Sequence, residues 1–155
     1  MLNFKKKNKK SIVAPATGIF EKLEELSDPV FSKGMMGRGF AIEAKNETIV
    51  SPIDGFVSSI FPTKHALGIK TKSGIELLVH VGIDTVELNG EGFDIKVQEG
   101  QKVKAGNTLM NIDFVVFEKN HKPKDVIIVF PDYQNEILIP KFEEVKQGQK
   151  LFDLD

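Results

Sequence analysis

Two histidines, His65 and His80, are the side chains of this sequence best suited to chemistry, and Thr63 precedes the first of them at a spacing of two. Imidazole changes charge near neutral pH, so an uncharged ring can act as a nucleophile while a neighbouring ring donates a hydrogen bond to an anion. That combination suits phosphoryl transfer, in which catalysis is mostly positioning and stabilisation of charge on oxygen. One histidine would attack phosphorus, and the other would hold the phosphoryl oxygens together with the Thr63 hydroxyl.

A purely structural role, as hydrogen-bonded strand residues, is the alternative for both histidines. A zinc site is disfavoured because two histidines lack the third and fourth protein ligands that zinc sites use. The third histidine, His121, lies in a charged loop and is expected to be solvated. The chain has no cysteine, which excludes thiol chemistry. We therefore expect neither a metal nor a cofactor.

The segment that carries His80 is predicted to be a strand, because apolar residues alternate along residues 75–83. One face carries Ile75, Leu77, Val79, Val81 and Ile83, and the face of His80 carries Glu76, Leu78 and Gly82. The opposite face is therefore expected to be the buried one.

A turn at Lys72, Ser73 and Gly74 predicts that this strand forms an antiparallel hairpin with the segment after His65, and the register decides whether the histidines meet. A two-residue loop would place His65 on the face of His80, one diagonal or about 7–8 Å away. A four-residue loop would place the two histidines directly opposite each other. If the segment from Thr63 is extended, a shift of one residue from either register would place the two histidines on opposite faces of the sheet.

The rest of the chain has the pattern of a β protein, in which the turn residues Gly, Pro, Asn and Asp separate short runs of Val, Ile and Phe. Only Asp113 to Asn120 has helical spacing, with Asp113 as the expected N-cap. The predicted strands are Ile12–Ala14, Gly18–Lys22, Phe40–Ala44, Thr48–Ser51, Gly55–Ile60, Ala66–Thr71, Glu76–Val81, Phe93–Val97, Thr108–Ile112, Val126–Val129 and Ile137–Leu138.

Internal similarity predicts a duplicated architecture. An apolar pair followed by Pro-x-x-Gly occurs at residues 12–18 and again at residues 49–55, and Val-Lys-x-Gly occurs at residues 103–106 and 145–148. Each motif describes a strand end followed by a turn. The predicted fold class is therefore all-β, with two interleaved halves in one antiparallel sandwich or flattened barrel and little helix.

Length and charge restrict the function further. With 155 residues, the chain is expected to form a single β domain over residues 11–155, preceded by a flexible basic tail over residues 1–10. The net charge of −1 gives no drive toward nucleic acid. No apolar run approaches the length of a membrane span, and no signal peptide is recognisable, so we expect a cytoplasmic monomer.

The residues around both histidines resemble a known family. The segment 74–88, Gly-Ile-Glu-Leu-Leu-Val-His-Val-Gly-Ile-Asp-Thr-Val-Glu-Leu, is similar to the signature of glucose-type EIIA components of the bacterial phosphoenolpyruvate-dependent sugar phosphotransferase system. Residues 61–66, Phe-Pro-Thr-Lys-His-Ala, resemble the second active-site segment of that family, and residues 28–39 resemble its hydrophobic rim.

The resemblance implies a barrel-sandwich hybrid with a shallow apolar depression that holds the two histidines. His80 would accept a phosphoryl group on Nε2 from the phosphocarrier HPr and pass it to the cysteine of a sugar-specific EIIB domain. His65 would bind the phosphoryl oxygens, and Thr63 would support the imidazole pair. Membrane contact would be indirect, through EIIB and EIIC.

A docking face for these partners is also implied by the resemblance. Its apolar members would be Phe31, Met35, Met36, Phe61, Leu78 and Val86, and its acidic members would be Asp28 and Asp84. Acidic groups at such a face set encounter rate and orientation more than affinity. Two positions depart from the family pattern: Arg38 stands where an acidic residue is usual, and Leu78 stands where Phe is usual.

Three other functions are alternatives. A regulatory binding module, whose partners read its phosphorylation state, uses the same surface. A zinc hydrolase of the lysostaphin-like kind would match His80 and Asp84 but lacks the required His-x-His segment. A biotinyl or lipoyl carrier would need a modified lysine at a hairpin tip, and no Met-Lys or Asp-Lys pair marks one at the repeated Val-Lys-x-Gly turns.

Overall fold

The structure is a computed structural model that describes residues 10–154, so the predicted basic tail lies outside the described residues except for Lys10. The strands are β1 (Lys10–Val13), β2 (Gly18–Lys22), β3 (Arg38–Ala44), β4 (Thr48–Val50), β5 (Gly55–Ile60), β6 (Ala66–Lys70), β7 (Glu76–Val81), β8 (Phe93–Ile95), β9 (Lys102–Val103), β10 (Thr108–Ile112), β11 (Asp125–Phe130), β12 (Glu144–Val145) and β13 (Lys150–Leu154). The helices are α1 (Pro29–Ser32) and α2 (Phe114–Lys119), with 3₁₀ turns at Leu23–Glu25 and Thr85–Leu88.

The strands form one large and two small antiparallel sheets. The large sheet has the order β12-β2-β3-β11-β7-β6-β5-β9, and the smaller sheets have the orders β4-β10-β8 and β1-β13. The large sheet brings β6 and β7, the two strands of the histidine hairpin, beside each other near its middle. The predicted fold class, an antiparallel β-sandwich with little helix, is confirmed.

The two halves of the chain repeat each other in three dimensions. The Val13 N–H donates to the Pro52 carbonyl at 2.8 Å, and the Val50 N–H donates to the Pro15 carbonyl at 2.8 Å. The pairing of β1 with β13 in one half corresponds to the pairing of β4 with β10 in the other. The duplication that the repeated motifs predict is therefore expressed as reciprocal backbone pairing.

The main core lies between the large sheet and the two smaller ones. Phe40 and Val79 of the large sheet are fully buried in one cluster with Ile12, Ile49 and Leu109 of the smaller sheets. A second apolar cluster lies apart from this core, beneath α1. Its buried members are Leu23, Leu26, Phe31, Ala41, Ile83, Ile127 and Val129.

Several predicted elements need correction. The segment Ile137–Leu138 is not a strand, because it pairs with no strand within residues 10–154, and Leu138 is 75% exposed. Helix α1 was not predicted, although Asp28 caps it by accepting from the Val30 N–H at 2.9 Å and Pro29 occupies its first turn. Strands β9, β12 and β13 were not predicted either. Helix α2 is confirmed, with Asp113 as its N-cap.

No helix within residues 10–154 combines the length and the apolar character needed to cross a bilayer.

Candidate functional site

The hairpin that carries the histidines does not have either of the predicted registers. Ala66 lies opposite His80, and Leu67 lies opposite Val79. The loop closes with the Thr71 N–H donating to the Ile75 carbonyl at 2.8 Å, which leaves three residues between them. This register is one residue away from both predicted registers, and regular alternation would place His65 on the buried face, opposite Val81.

The two imidazoles nevertheless meet, because His65 ends a tight turn and its side-chain direction is set by that turn. The Phe61 N–H donates to the Ala66 carbonyl at 3.0 Å, and the Lys64 N–H donates to the Phe61 carbonyl at 2.8 Å. Lys64 has a φ of 62°, which breaks the extended conformation just before His65. The ring is thereby turned toward His80, whereas the His65 carbonyl still accepts from Val81 N–H at 2.7 Å.

The histidine pair has a defined geometry. The ring centroids of His65 and His80 are 5.0 Å apart with an interplanar angle of 83°. The Thr63 hydroxyl lies 2.7 Å from Nδ1 of His65. If the hydroxyl donates, Nδ1 is the acceptor and the neutral ring carries its proton on Nε2, where it can be donated to an anion. The predicted proximity of the two histidines is confirmed.

Aromatic side chains flank both imidazoles. The ring of Phe31 lies 4.9 Å from that of His80 at 61°, and the ring of Phe61 lies 5.5 Å from that of His65 at 85°. Met36 and Leu78 are partly buried against the second apolar cluster beside Phe31. The rings therefore lie in an apolar hollow that restricts access of water.

Burial keeps both histidines uncharged at neutral pH. It is the main cause that lowers the pKa of His80 from 6.5 to about 4, and the neighbouring His65 lowers it further. The backbone of Gly82 and the carboxylate of Asp28 act in the opposite direction. His80 Nδ1 is buried with no hydrogen-bond partner within residues 10–154. Burial also lowers the pKa of His65.

The residues predicted for the docking face differ widely in exposure. Phe31, which contacts His80, is only 4% exposed. Met35, Val86 and Phe61 are 70%, 49% and 38% exposed. Val30, which belongs to the predicted rim segment 28–39 but not to the predicted docking residues, is exposed too. Large exposed apolar side chains indicate an interaction surface where they form one contiguous patch.

The two acidic residues predicted for this face differ in their surroundings. Asp28 is half-buried and uses Oδ1 to cap α1, and its charge reaches His80. Asp84 is exposed, has a φ of 58° and makes no capping hydrogen bond to the following turn. Arg38, which departs from the family pattern, donates to the Tyr133 carbonyl at 2.9 Å and to the Asn135 carbonyl at 2.5 Å. Its guanidinium group therefore holds the loop after β11.

Gly82 and Thr85 position the end of β7, and sequence reasoning missed both roles. Gly82 has a φ of 82° and ends the alternation directly after Val81. Ile83 consequently lies in the second cluster, not on the buried face of β7 as predicted. Thr85 is fully buried and donates to the Val81 carbonyl at 2.5 Å. The Gly-Ile-Asp-Thr sequence at residues 82–85 is the feature from which a turn at the end of β7 could have been predicted.

A carboxyl pair on the same sheet was also missed. His80 lies opposite Ile127, Ile127 opposite Ala41, and Ala41 opposite Glu21, so these side chains share one face. Burial raises the pKa of Glu21 to about 8, and its hydrogen bond with the carboxyl of Asp125 raises it next. Glu21 Oε1 is buried with no hydrogen-bond partner among residues 10–154, an environment that disfavours the charged form of this carboxyl.

No group of three or more His, Cys, Asp or Glu side chains within residues 10–154 is placed to hold a metal ion.

A duplicated β-sandwich that presents two uncharged imidazoles in an apolar hollow is the framework of a protein that transfers small anionic groups. Comparisons with known proteins agree with this class. The family described as phosphoenolpyruvate-dependent sugar phosphotransferase system, EIIA 1, matches residues 10–136. The chain belongs to that family, and it takes part in phosphoryl transfer during sugar uptake.

Individual relatives are similar over most of the chain. A glucose-specific EIIA component of Staphylococcus epidermidis is 43% identical over 140 residues, which cover 89% of this chain and 84% of the relative. A glucose-specific EIIA component of Bacillus cereus is 49% identical over 117 residues, which cover 76% and 71%. The solved structure of glucose permease IIA from Mycoplasma capricolum superimposes with a TM-score of 0.88 at 40% identity and covers all of both chains.

Proposed function

We propose that the chain accepts a phosphoryl group from phosphorylated HPr on Nε2 of His80 and passes it to the cysteine of a sugar-specific EIIB domain. The observation that carries this proposal is the edge-to-face contact of the two imidazoles, 5.0 Å apart in an apolar hollow. Two rings at this separation can hold one phosphoryl group between them.

The choice of Nε2 as the acceptor atom is supported by the burial of the other nitrogen. His80 is half-buried, and its Nδ1 is inaccessible. The lowered pKa of His80 leaves the ring unprotonated at neutral pH, so a lone pair is available for attack on phosphorus. As the Nε2–P bond forms, the bond between phosphorus and HPr breaks, and the electron pair leaves with HPr.

His65 is proposed to hold the phosphoryl oxygens in both directions of transfer. Its Nδ1 is engaged by the Thr63 hydroxyl at 2.7 Å, which leaves Nε2–H free to donate to oxygen. In onward transfer the EIIB thiolate attacks phosphorus, the Nε2–P bond of His80 breaks, and the electron pair returns to the imidazole. A donor already in place stabilises the charge that develops on oxygen without reorganisation.

The partners are proposed to dock over the exposed apolar rim of Met35, Val86 and Phe61. Asp28 and Asp84 would face basic residues of HPr and EIIB, and Arg38 would not, because its guanidinium group is occupied by the Tyr133 and Asn135 carbonyls. A regulatory partner that reads the phosphorylation state would meet the same surface.

A labelling experiment tests the proposal. The chain is incubated with phosphoenolpyruvate, enzyme I and HPr, and the acid-labile phosphate is mapped. We expect His80→Gln to abolish labelling and His65→Gln to be labelled but unable to deliver to EIIB. The exposed His121 provides the matched control, since His121→Gln should behave as the unmodified chain. Equal loss of labelling in the His80 and His65 variants would contradict the assigned roles.

A further inference from the structure

A second hollow, remote from the histidines, has a volume of about 690 Å³ and is lined by four lysines. Lys102 and Lys104 come from β9 and the turn after it, Lys10 from the start of β1, and Lys72 from the loop between β6 and β7. His65 directly precedes the first residue of β6, and Lys72 follows its last residue, so the two lie at opposite ends of the strand. At a rise of about 3.3 Å per residue, the five steps from His65 to Lys70, which lies opposite Phe56 of the hollow, span roughly 17 Å.

The positive charge of this hollow is not neutralised by the fold. None of its four lysines forms an ion pair with a carboxylate in the described part of the chain. Among the described residues that line it, the one acidic residue is Asp54, which uses Oδ1 to accept from the Ala105 N–H at 2.7 Å. Four ammonium groups and one carboxylate leave a formal charge of +3.

The internal duplication provides a second copy of this hollow, built on the same backbone. In the first half of the chain, Gly18 pairs with Val145 as Gly55 pairs with Val103 in the second half. The Thr17 hydroxyl accepts from the Gln147 N–H at 3.0 Å, which corresponds to the bond between Asp54 and Ala105. The copy has a volume of only about 390 Å³.

The copy also lacks the charge. Glu144 stands at the position that corresponds to Lys102, and Lys45 is paired with Glu43 at 3.1 Å. The described lining of the copy contains one carboxylate and two lysines, Lys45 and Lys146, of which Lys45 is already paired. The fold therefore does not require a cluster of unpaired lysines at this place, and the charge belongs to the second half alone.

We propose that the lysine hollow binds a small soluble molecule that combines phosphate groups with an aromatic or apolar part. Lysine ammonium groups bind phosphate as point charges. The half-buried ring of Phe56 and the buried Val103 supply an apolar wall against which a ring can pack. The volume lies within the range of small-molecule sites, and the concave shape suits such a ligand better than a flat membrane surface.

The test is a titration of the full chain followed by amide nuclear magnetic resonance, with adenosine diphosphate as the probe. We expect saturable shifts at Gly55, Phe56 and the 102–104 segment, weaker binding of pyrophosphate, and no binding of adenosine. The Lys72→Gln/Lys102→Gln double variant should weaken binding roughly tenfold or more, since two charge-assisted hydrogen bonds are lost. Phosphorylation by HPr should be unchanged in this variant.

The matched control is the Lys45→Gln/Lys146→Gln double variant, which removes the same charge from the duplicated hollow. It should leave the affinity within about twofold. Equal weakening in the two double variants would mean that the probe senses overall charge only, and would overturn the proposal. Absence of shifts at millimolar probe would overturn it as well. So would binding to phosphatidylglycerol vesicles without binding to the probe, because the surface would then recognise a membrane.

Discussion

The ring of Phe31 packs edge-on against the imidazole of His80, with centroids 4.9 Å apart. Phe31 is 4% exposed and belongs to the apolar cluster beneath α1. Asp28 caps α1 and thereby holds Phe31 in place. The Asp28 carboxylate therefore also positions the ring that shields His80 from water. The same contact links the stability of the fold to the protonation of His80, because burial is the largest cause of its lowered pKa.

Replacement of Phe31 is expected to change both properties. Phe31→Ala should destabilise the fold by about 3 kcal/mol through loss of buried surface and the cavity left behind. It should also raise the pKa of His80 toward 6.5, because water would reach the ring. Chemical denaturation and a histidine titration by nuclear magnetic resonance measure the two effects. Phe61→Ala is the control, since Phe61 is 38% exposed and contacts His65 instead. An unchanged His80 pKa in Phe31→Ala would contradict this assignment.

The Thr63 hydroxyl is expected to control the tautomer of His65. Thr63→Val removes the hydroxyl that hydrogen-bonds with Nδ1, at nearly constant volume. The proton should then no longer be confined to Nε2, and onward transfer to EIIB should slow roughly fivefold to tenfold. The ¹⁵N shifts of the His65 ring report the tautomer directly. Thr63→Ser keeps the hydroxyl and should restore both the shifts and the rate, whereas a purely structural role for Thr63 would leave the ring nitrogens unchanged.

Buried His80 makes the stability of the unphosphorylated chain depend on pH. Its pKa is lowered in the fold, so the unfolded chain binds a proton first as the pH falls from 6.5 toward 4. The contribution of His80 to the free energy of unfolding should therefore decrease by up to about 3 kcal/mol across that window. His80→Gln should reduce the slope and leave the smaller part due to His65, whose pKa is lowered too. An identical slope in the variant, measured by denaturation at several pH values, would refute the prediction.

The sequence predicts the strands that build the site better than it predicts how their side chains meet. The bounds of β2, β5, β7 and β10 agree with prediction because alternating apolar residues run between Gly, Pro or Asn boundaries. Strands β9 and β12 have two residues each, which is too short to show an alternating pattern. They form because β9 pairs with β5 at Gly55 and β12 pairs with β2 at Gly18. Ile137–Leu138 has the local propensity of a strand, but no backbone in the described part of the chain pairs with it.

The meeting of the histidines shows the same limit. Alternation correctly predicts that His80 lies opposite to the face of Val79, but it cannot predict the left-handed conformation of Lys64. A lysine is an unusual residue for positive φ, so residue type gives no warning. The predicted proximity of the rings is right, and the register from which it was derived is wrong. The turn between β5 and β6, and not the ladder between β6 and β7, aims His65 at His80.

The Glu21 carboxyl should give a pH dependence opposite to that of His80. Its pKa is raised to about 8 from 4.5, so above pH 4.5 the unfolded chain ionises first and stability falls until the folded carboxyl also ionises near pH 8. Glu21→Gln should therefore stabilise the fold above pH 8 and have little effect below pH 4.5. The exposed Glu24 provides the control, since Glu24→Gln should leave the profile unchanged. Stabilisation by Glu21→Gln that is equal at all pH values would point to packing instead of protonation.

The turn after β7 is expected to tolerate no side chain at Gly82. A Cβ there would collide with Cγ2 of Thr85 and lie 3.0 Å from the Phe117 ring and 3.1 Å from the Pro123 carbonyl oxygen. Its φ of 82° adds backbone strain, so Gly82→Ala should cost at least about 3 kcal/mol in denaturation experiments. Gly74→Ala isolates the backbone strain, because Gly74 has a φ of 98° and the added Cβ would meet no described atom within 4 Å. This variant should cost about 1–2 kcal/mol. The difference between the variants measures the steric part. If they cost the same, the contact between Gly82 and Thr85 does not hold the end of β7 next to His80.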